Sequence, residues 1–218
     1  MRVGKTGPLR FLSHHDMLRL LERAFRRANL PVRLTEGFNS RPRIVLPLPL
    51  EVGTESVDEP VEVELSEWQG IAEIRANIGR VLPEYIPLRA VKLLPPRRQS
   101  QPPVEAFYEC RPPEAGVEIN EERVAEFLAM ESVPWKRHRP DGDVELDLRQ
   151  GTISIEYVDG LLKMRLKTGA KSVRPVEILT WMSGDVSKAM LVPVKRMRTV
   201  LSPIEVGGRP IQKHRIKR

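Results

Sequence analysis

The clearest hydrophobic periodicity in the chain runs from His14 to about Asn29, where Met17, Leu20, Leu21, Ala24, Phe25 and Ala28 fall on one broad face at helical spacing. Ser13 stands as the N-cap of this helix, with Asp16 three residues on in an approximate capping box, and Leu30-Pro31 stops it. Residues 9–13 before it read as a short extended segment. After it, residues 32–35 and 43–50 look extended, and Pro60-Val61-Glu62-Val63-Glu64-Leu65 alternates strictly between apolar and polar, the pattern of a half-buried strand. A second helix is predicted from Glu67 to Val81, with Trp68, Ile71, Ile74 and Ile78 on one face, and a strand from Leu88 to Leu93 closes the unit. The resulting order is β-α-β-β-α-β, the ferredoxin-like order.

The stretch from Leu94 to Pro103 holds four prolines and almost no apolar residues, so it predicts a linker over 95–103. Beyond it the order repeats. Val104 to Cys110 alternates as a strand, Asn120 caps a helix reaching about Glu131, and 144–148, 152–157 and 161–166 read as strands between turn residues. Pro175 to Met182 reads as a helix with proline in its first turn, and Met190 to Val200 as a closing strand. The expected fold is α+β: two tandem ferredoxin-like domains, 1–94 and 104–203, the second with an extra hairpin, followed by a basic flexible tail over 204–218. A chain of 218 residues accommodates two such units.

Composition narrows the function classes. An apolar fraction of 40% and a charged fraction of 30% suit a soluble globular protein. No apolar run approaches a membrane span, and Met1-Arg2-Val3-Gly4-Lys5 lacks a signal-peptide pattern, so a cytoplasmic location is expected. The single cysteine, Cys110, excludes an intramolecular disulfide and any multi-cysteine metal site built by this chain alone. His14, His15, His138 and His214 are too scattered for metal binding, and no cofactor is expected.

The net charge of +7 is unevenly spread. Residues 1–43 carry ten Lys/Arg against three Asp/Glu, and 160–218 carry fourteen against three, while the middle of the chain is acidic. Basic ends favour a polyanionic partner; packing of oppositely charged segments is the competing explanation. On the first helix, Arg19, Arg23, Arg26 and Arg27 gather opposite the apolar face, with only Asp16 and Glu22 near enough to neutralise them. Lys5, Arg10, Arg41 and Arg43 lie in loops and strand ends of the same unit. The loop Thr35-Glu36-Gly37-Phe38-Asn39-Ser40-Arg41-Pro42-Arg43 sets an aromatic, Phe38, among arginines, a composition that can stack on an unpaired base while holding its phosphate.

In the second unit Lys163, Arg165 and Lys167 share one strand face, and Lys171 and Arg174 follow in the next turn. His14-His15 allows an acid/base reading for RNA cleavage, although structural roles fit them as well. Lys5-Thr6-Gly7 lacks the spaced glycines of a phosphate-binding loop, and no hydrolase, zincin or dinucleotide-binding signature is present.

The run Lys5-Thr6-Gly7-Pro8-Leu9-Arg10-Phe11-Leu12-Ser13-His14 with Asp16, the arginine-rich helix after it, and Gly37-Phe38-Asn39 with Pro42 resemble a bacterial family of radical-SAM-linked, or radical-SAM-associated, proteins, domain of unknown function 2344. Asp147-Leu148-Arg149 and Val173-Arg174-Pro175 with Glu177 resemble that family's second-half signatures. The resemblance implies a chain that works beside a radical SAM protein. Having one cysteine, it would be the partner and not the enzyme that carries the cluster. The expected function is a non-catalytic accessory protein that binds RNA, tRNA or rRNA, through its basic helix and loop. A metal-independent RNA-processing nuclease using His14 or His15, and a protein–protein adaptor with no nucleic-acid role, are the alternatives.

Overall fold

The computed structural model describes residues 1–95, 100–112, 119–169 and 171–203. Residues 96–99 of the proline-rich linker and the whole of the expected C-terminal tail, 204–218, lie outside them. The first half contains β1 (Arg2–Lys5), a 3-10 turn (Gly7–Phe11), α1 (His14–Arg27), β2 (Ile44–Val45), β3 (Glu55–Pro60), β4 (Glu62–Val63), α2 (Ile71–Gly79) and β5 (Leu88–Ala90). The second half contains β6 (Pro103–Cys110), α3 (Glu121–Ala129), β7 (Pro134–Arg137), β8 (Val144–Asp147), α4 (Leu148–Gly151), β9 (Thr152–Val158), β10 (Leu161–Lys167), α5 (Pro175–Ser183), α6 (Val186–Leu191) and β11 (Val194–Leu201). Among the described residues no helix is long and apolar enough to cross a membrane.

The chain forms a mixed α/β fold around one seven-stranded sheet of order β5-β1-β3-β11-β6-β10-β9. Every neighbouring pair is antiparallel except β3 and β11, which run parallel where the two halves join. Two small ribbons, β2-β4 and β7-β8, stand apart from it. The buried apolar residues form two clusters. One gathers Val3, Leu21, Phe25 and Ile78 from the first half, the other Phe127, Leu162, Met164, Ile178 and Leu179 from the second. The seam between them is polar: Ser56, Glu59, Arg196 and Thr199 are all buried there.

Helix boundaries follow local chemistry. Ser13 Oγ accepts from the Asp16 amide and its hydroxyl donates to the Asp16 carboxylate, so this cap forms from both sides. The helix ends where Asn29 takes a left-handed conformation and the Leu30 amide reaches back to the Phe25 carbonyl. Asn120 caps α3 through the Arg123 amide, and Pro175 opens α5.

Several expected boundaries move. Residues 9–13 are not extended: Gly7, at φ +55°, and Pro8 turn the chain into the 3-10 segment, and the first strand lies earlier, around the buried Val3. The second helix starts at Ile71, after Gly70, which leaves Trp68 81% exposed. Within the expected 32–35 and 43–50 strands, only Ile44–Val45 pairs in a ladder, supplemented by isolated bridges at Val32 and Leu34. Met190 and Leu191 belong to a helix rather than to the closing strand, because Gly184 ends α5 in a left-handed turn and the Asp185 carboxylate caps α6 at once.

Candidate nucleic-acid interface

Helix α1 divides cleanly. Met17, Leu21, Ala24, Phe25 and Ala28 are buried in the first core, while Arg19, Arg23, Arg26 and Arg27 are exposed. Arg19 lies 3.7 Å from Asp16, both solvent-facing, a pair of small net worth. Among the described residues Arg23, Arg26 and Arg27 have no acidic partner within ion-pair distance. Arg26 and Arg27 also occupy the last turn, where cations complement the helix dipole.

The 35–43 loop is pinned at its base by the Leu34–Pro42 bridge, the Thr35 amide donating to the Arg41 carbonyl, and the Arg41 amide donating to Thr35 Oγ1. Gly37, at φ +117°, lets the tip turn back, and Phe38 on that tip is fully exposed, with no packing under its own turn. Arg41 is exposed beside it, whereas Arg43 is partly neutralised by Glu64 at 2.9 Å. The guanidiniums of Arg43 and Arg33 hold the Glu64 carboxyl below its ordinary range.

The remaining expected residues separate by environment. Lys5 is only 2% exposed and its ammonium donates to the Leu12 carbonyl at 2.8 Å, so it is out of reach of a surface ligand; burial also lowers its pKa. Arg10 sits 3.7 Å from Glu55 and over the ring of Phe11. Lys163, Arg165 and Lys167 do lie on one face of β10, opposite the buried Leu162, Met164 and Leu166. Lys163 is 3.7 Å from Glu156 and Arg165 is 2.7 Å from Glu105, while Lys167 and Lys171 are exposed with no acidic partner among the described residues. Arg174 reaches across to Glu51 of the other half at 3.1 Å.

His14 and His15 stack edge to face, 5.7 Å apart. His15 is exposed. His14 turns inward, its Nδ1 buried without a partner beside a cavity of about 10 Å³ that Lys5 and Glu59 also line. That volume admits roughly one water molecule and no nucleotide. Cys110 is buried in the second core, and desolvation pushes its thiol up to about 12, so it stays protonated. Among the described residues, no group of three His, Cys, Asp or Glu is arranged to hold a metal ion.

Two features escape sequence reading. Arg196 is wholly buried against Glu59, and Arg198 with Phe107 occupies the face that also carries Arg165. The basic run Lys195-Arg196-Met197-Arg198 was the available signal, but a strand bulge between Arg196 and Arg198 changes which of them face together.

The molecule is thus a mixed α/β protein with an exposed arginine face on its first helix. Residues 1–176 match the family model described as an uncharacterized protein conserved in bacteria, DUF2344, and the chain belongs to that family. No curated protein matches it. Among solved structures, a chain in the crystal structure of a Cbf5-Nop10-Gar1 complex is similar at a TM-score of 0.44 with 9% identity, over 91% of this chain. This chain spans 48% of that one, about half its length.

Proposed function

We propose that the protein is a non-catalytic accessory chain to a radical SAM enzyme and that it binds RNA, tRNA or rRNA, through the α1 arginine face and the Phe38 loop. The observation that carries the RNA reading is the set Arg23, Arg26 and Arg27, exposed and without acidic partners among the described residues. Guanidiniums on an exposed helix face attract phosphates and release counterions. The exposed Phe38 supplies a surface on which a base can stack. Support for the radical SAM partner is the family resemblance of the Lys5–His14 run and the Gly37-Phe38-Asn39 loop, together with a lone cysteine that leaves the cluster to another chain.

Each half is also read as a ferredoxin-like unit. In the second, β6 and β10 are central, β9 and β11 flank them, and helices fall between β6 and β9 and between β10 and β11. In the first, β5-β1-β3 follow the same pattern, with β2 pairing to β4 just beyond β3.

The test is fluorescence anisotropy with bulk tRNA across a salt series. Affinity should fall steeply with salt and weaken in Arg23→Glu/Arg26→Glu/Arg27→Glu. Salt-insensitive or absent binding would sink the RNA reading. Co-purification of a radical SAM protein from RNase-treated lysate tests the partner.

A further inference from the structure

We infer that the face of the sheet around Phe107, on which no helix packs among the described residues, is a second surface, a platform on which unpaired RNA bases stack. The inference rests on the RNA-binding reading and adds a site on the other half of the molecule.

Phe107 lies on β6, opposite Arg165 of β10 on one side and Arg198 of β11 on the other. Their guanidinium carbons stand 5.3 and 5.8 Å from the ring centroid. The second core lies on the opposite face of these strands. Leu162, Met164 and Leu166 of β10 pack there against residues of α3, α5 and α6, so these three helices cover the side away from Phe107. The half-buried ring on this face of a central strand leaves some apolar area near water, and a stacked base would cover it.

The charge around it suits a nucleic-acid strand. Lys163, Lys167 and Lys195 join Arg165 and Arg198 on this face, against Glu105, Glu109, Glu156 and Glu55, the last 3.9 Å from Lys195. Glu105 is already engaged by Arg165, and Glu156 lies near Lys163. Arg198 and Lys167 have no acidic partner among the described residues, which leaves positive charge on both sides of the ring for phosphates. A flat sheet face offers stacking to splayed bases, which a duplex cannot supply, so the ligand class is single-stranded RNA.

The experiment uses the full chain with fluorescein-labelled oligouridine, comparing the unmodified protein with Phe107→Ala, Phe107→Tyr and the Arg23→Glu/Arg26→Glu/Arg27→Glu variant. Phe107→Ala should weaken binding about five- to a hundredfold, Phe107→Tyr should restore it, and duplex RNA should be bound equally by all three Phe107 forms. Photocrosslinking of the unmodified protein with 4-thiouridine RNA should label the β6 peptide, which decides the matter even if Phe107→Ala fails to fold. Unchanged oligouridine affinity in a folded Phe107→Ala, or crosslinks confined to residues 14–43, would overturn the platform while leaving the helix surface standing. Loss in Phe107→Ala with no loss in the helix variant would do the reverse. Absence of RNA binding by the unmodified chain removes both.

Discussion

Arg196 of β11 and Glu59 of β3 form a forked ion pair inside the seam between the two halves, with side chains 1% and 6% exposed. The Arg196 Nε donates to Glu59 Oε1 at 2.8 Å, and a terminal nitrogen donates both to Glu59 Oε2 and to the Leu48 carbonyl. Burial is the largest influence and disfavours the guanidinium charge, but Glu59 and Tyr108 together, through charge and hydrogen bonding, outweigh it and hold the Arg196 pKa above its ordinary value. Nearby, Arg2 bonds both Asp58 and the Thr199 carbonyl, so the parallel pairing is reinforced by polar groups on both sides.

Removing one member leaves the other charge buried and unpaired. Arg196→Met should cost about 3–5 kcal/mol, while Arg196→Met combined with Glu59→Met should regain much of that loss. Urea unfolding of the three forms checks it. Equal losses in the single and double variants would show that the pair itself is not the source.

Charge reversal on α1 should act on binding and spare the fold, because Arg23, Arg26 and Arg27 are exposed. For single-stranded RNA, the slope of log affinity against log salt should become shallower by about 0.7 for each phosphate that is no longer neutralised. The melting temperature should stay close to that of the unmodified chain.

His14 makes stability depend on pH in a defined direction. Burial first, and then the neighbouring His15, lower its pKa from 6.5, so the unfolded chain binds its proton more readily than the folded one. Stability should therefore rise as pH climbs from the lowered folded value through 6.5, and be lost as pH falls through that window. His14→Leu should flatten this rise. An NMR titration that found the His14 imidazole at 6.5 would abolish this dependence, and one that found it above 6.5 would reverse the sign.

Gly151 closes α4 against Val173. A Cβ there would stand 2.3 Å from Val173 Cγ2 and 3.0 Å from its Cβ, so something in the second core must move. Gly151→Ala should cost about 1–3 kcal/mol by overpacking. Gly79→Ala, where an added methyl meets nothing within 4 Å, is the control and should be neutral or mildly stabilising in thermal melts.

Helix α1 was legible because its signals are local. The cap at Ser13, the apolar stripe from Met17 to Ala28 and the stop before Pro31 need no distant partner. The strands of β6, β9 and β10 were legible for the same reason, since alternation records which side is buried. Short elements were less readable. Strands β2 and β4 are two residues each and exist through their pairing, and α6 follows α5 across a single turn that reads equally well as an approach to a strand.

The candidate site divides in the same way. By itself, the sequence determined that four arginines share a helix face, that Lys163, Arg165 and Lys167 share a strand face, and that one cysteine cannot build a cluster, because spacing and counting decide these. Only the tertiary structure decided which charges reach solvent. Lys5 and Arg196 look no different in sequence from Arg23 or Arg198, yet a buried carbonyl and a buried carboxylate take the first two. Residues separated by 137 positions meet only when β3 and β11 join, and the free energy of burying a charge depends on that meeting.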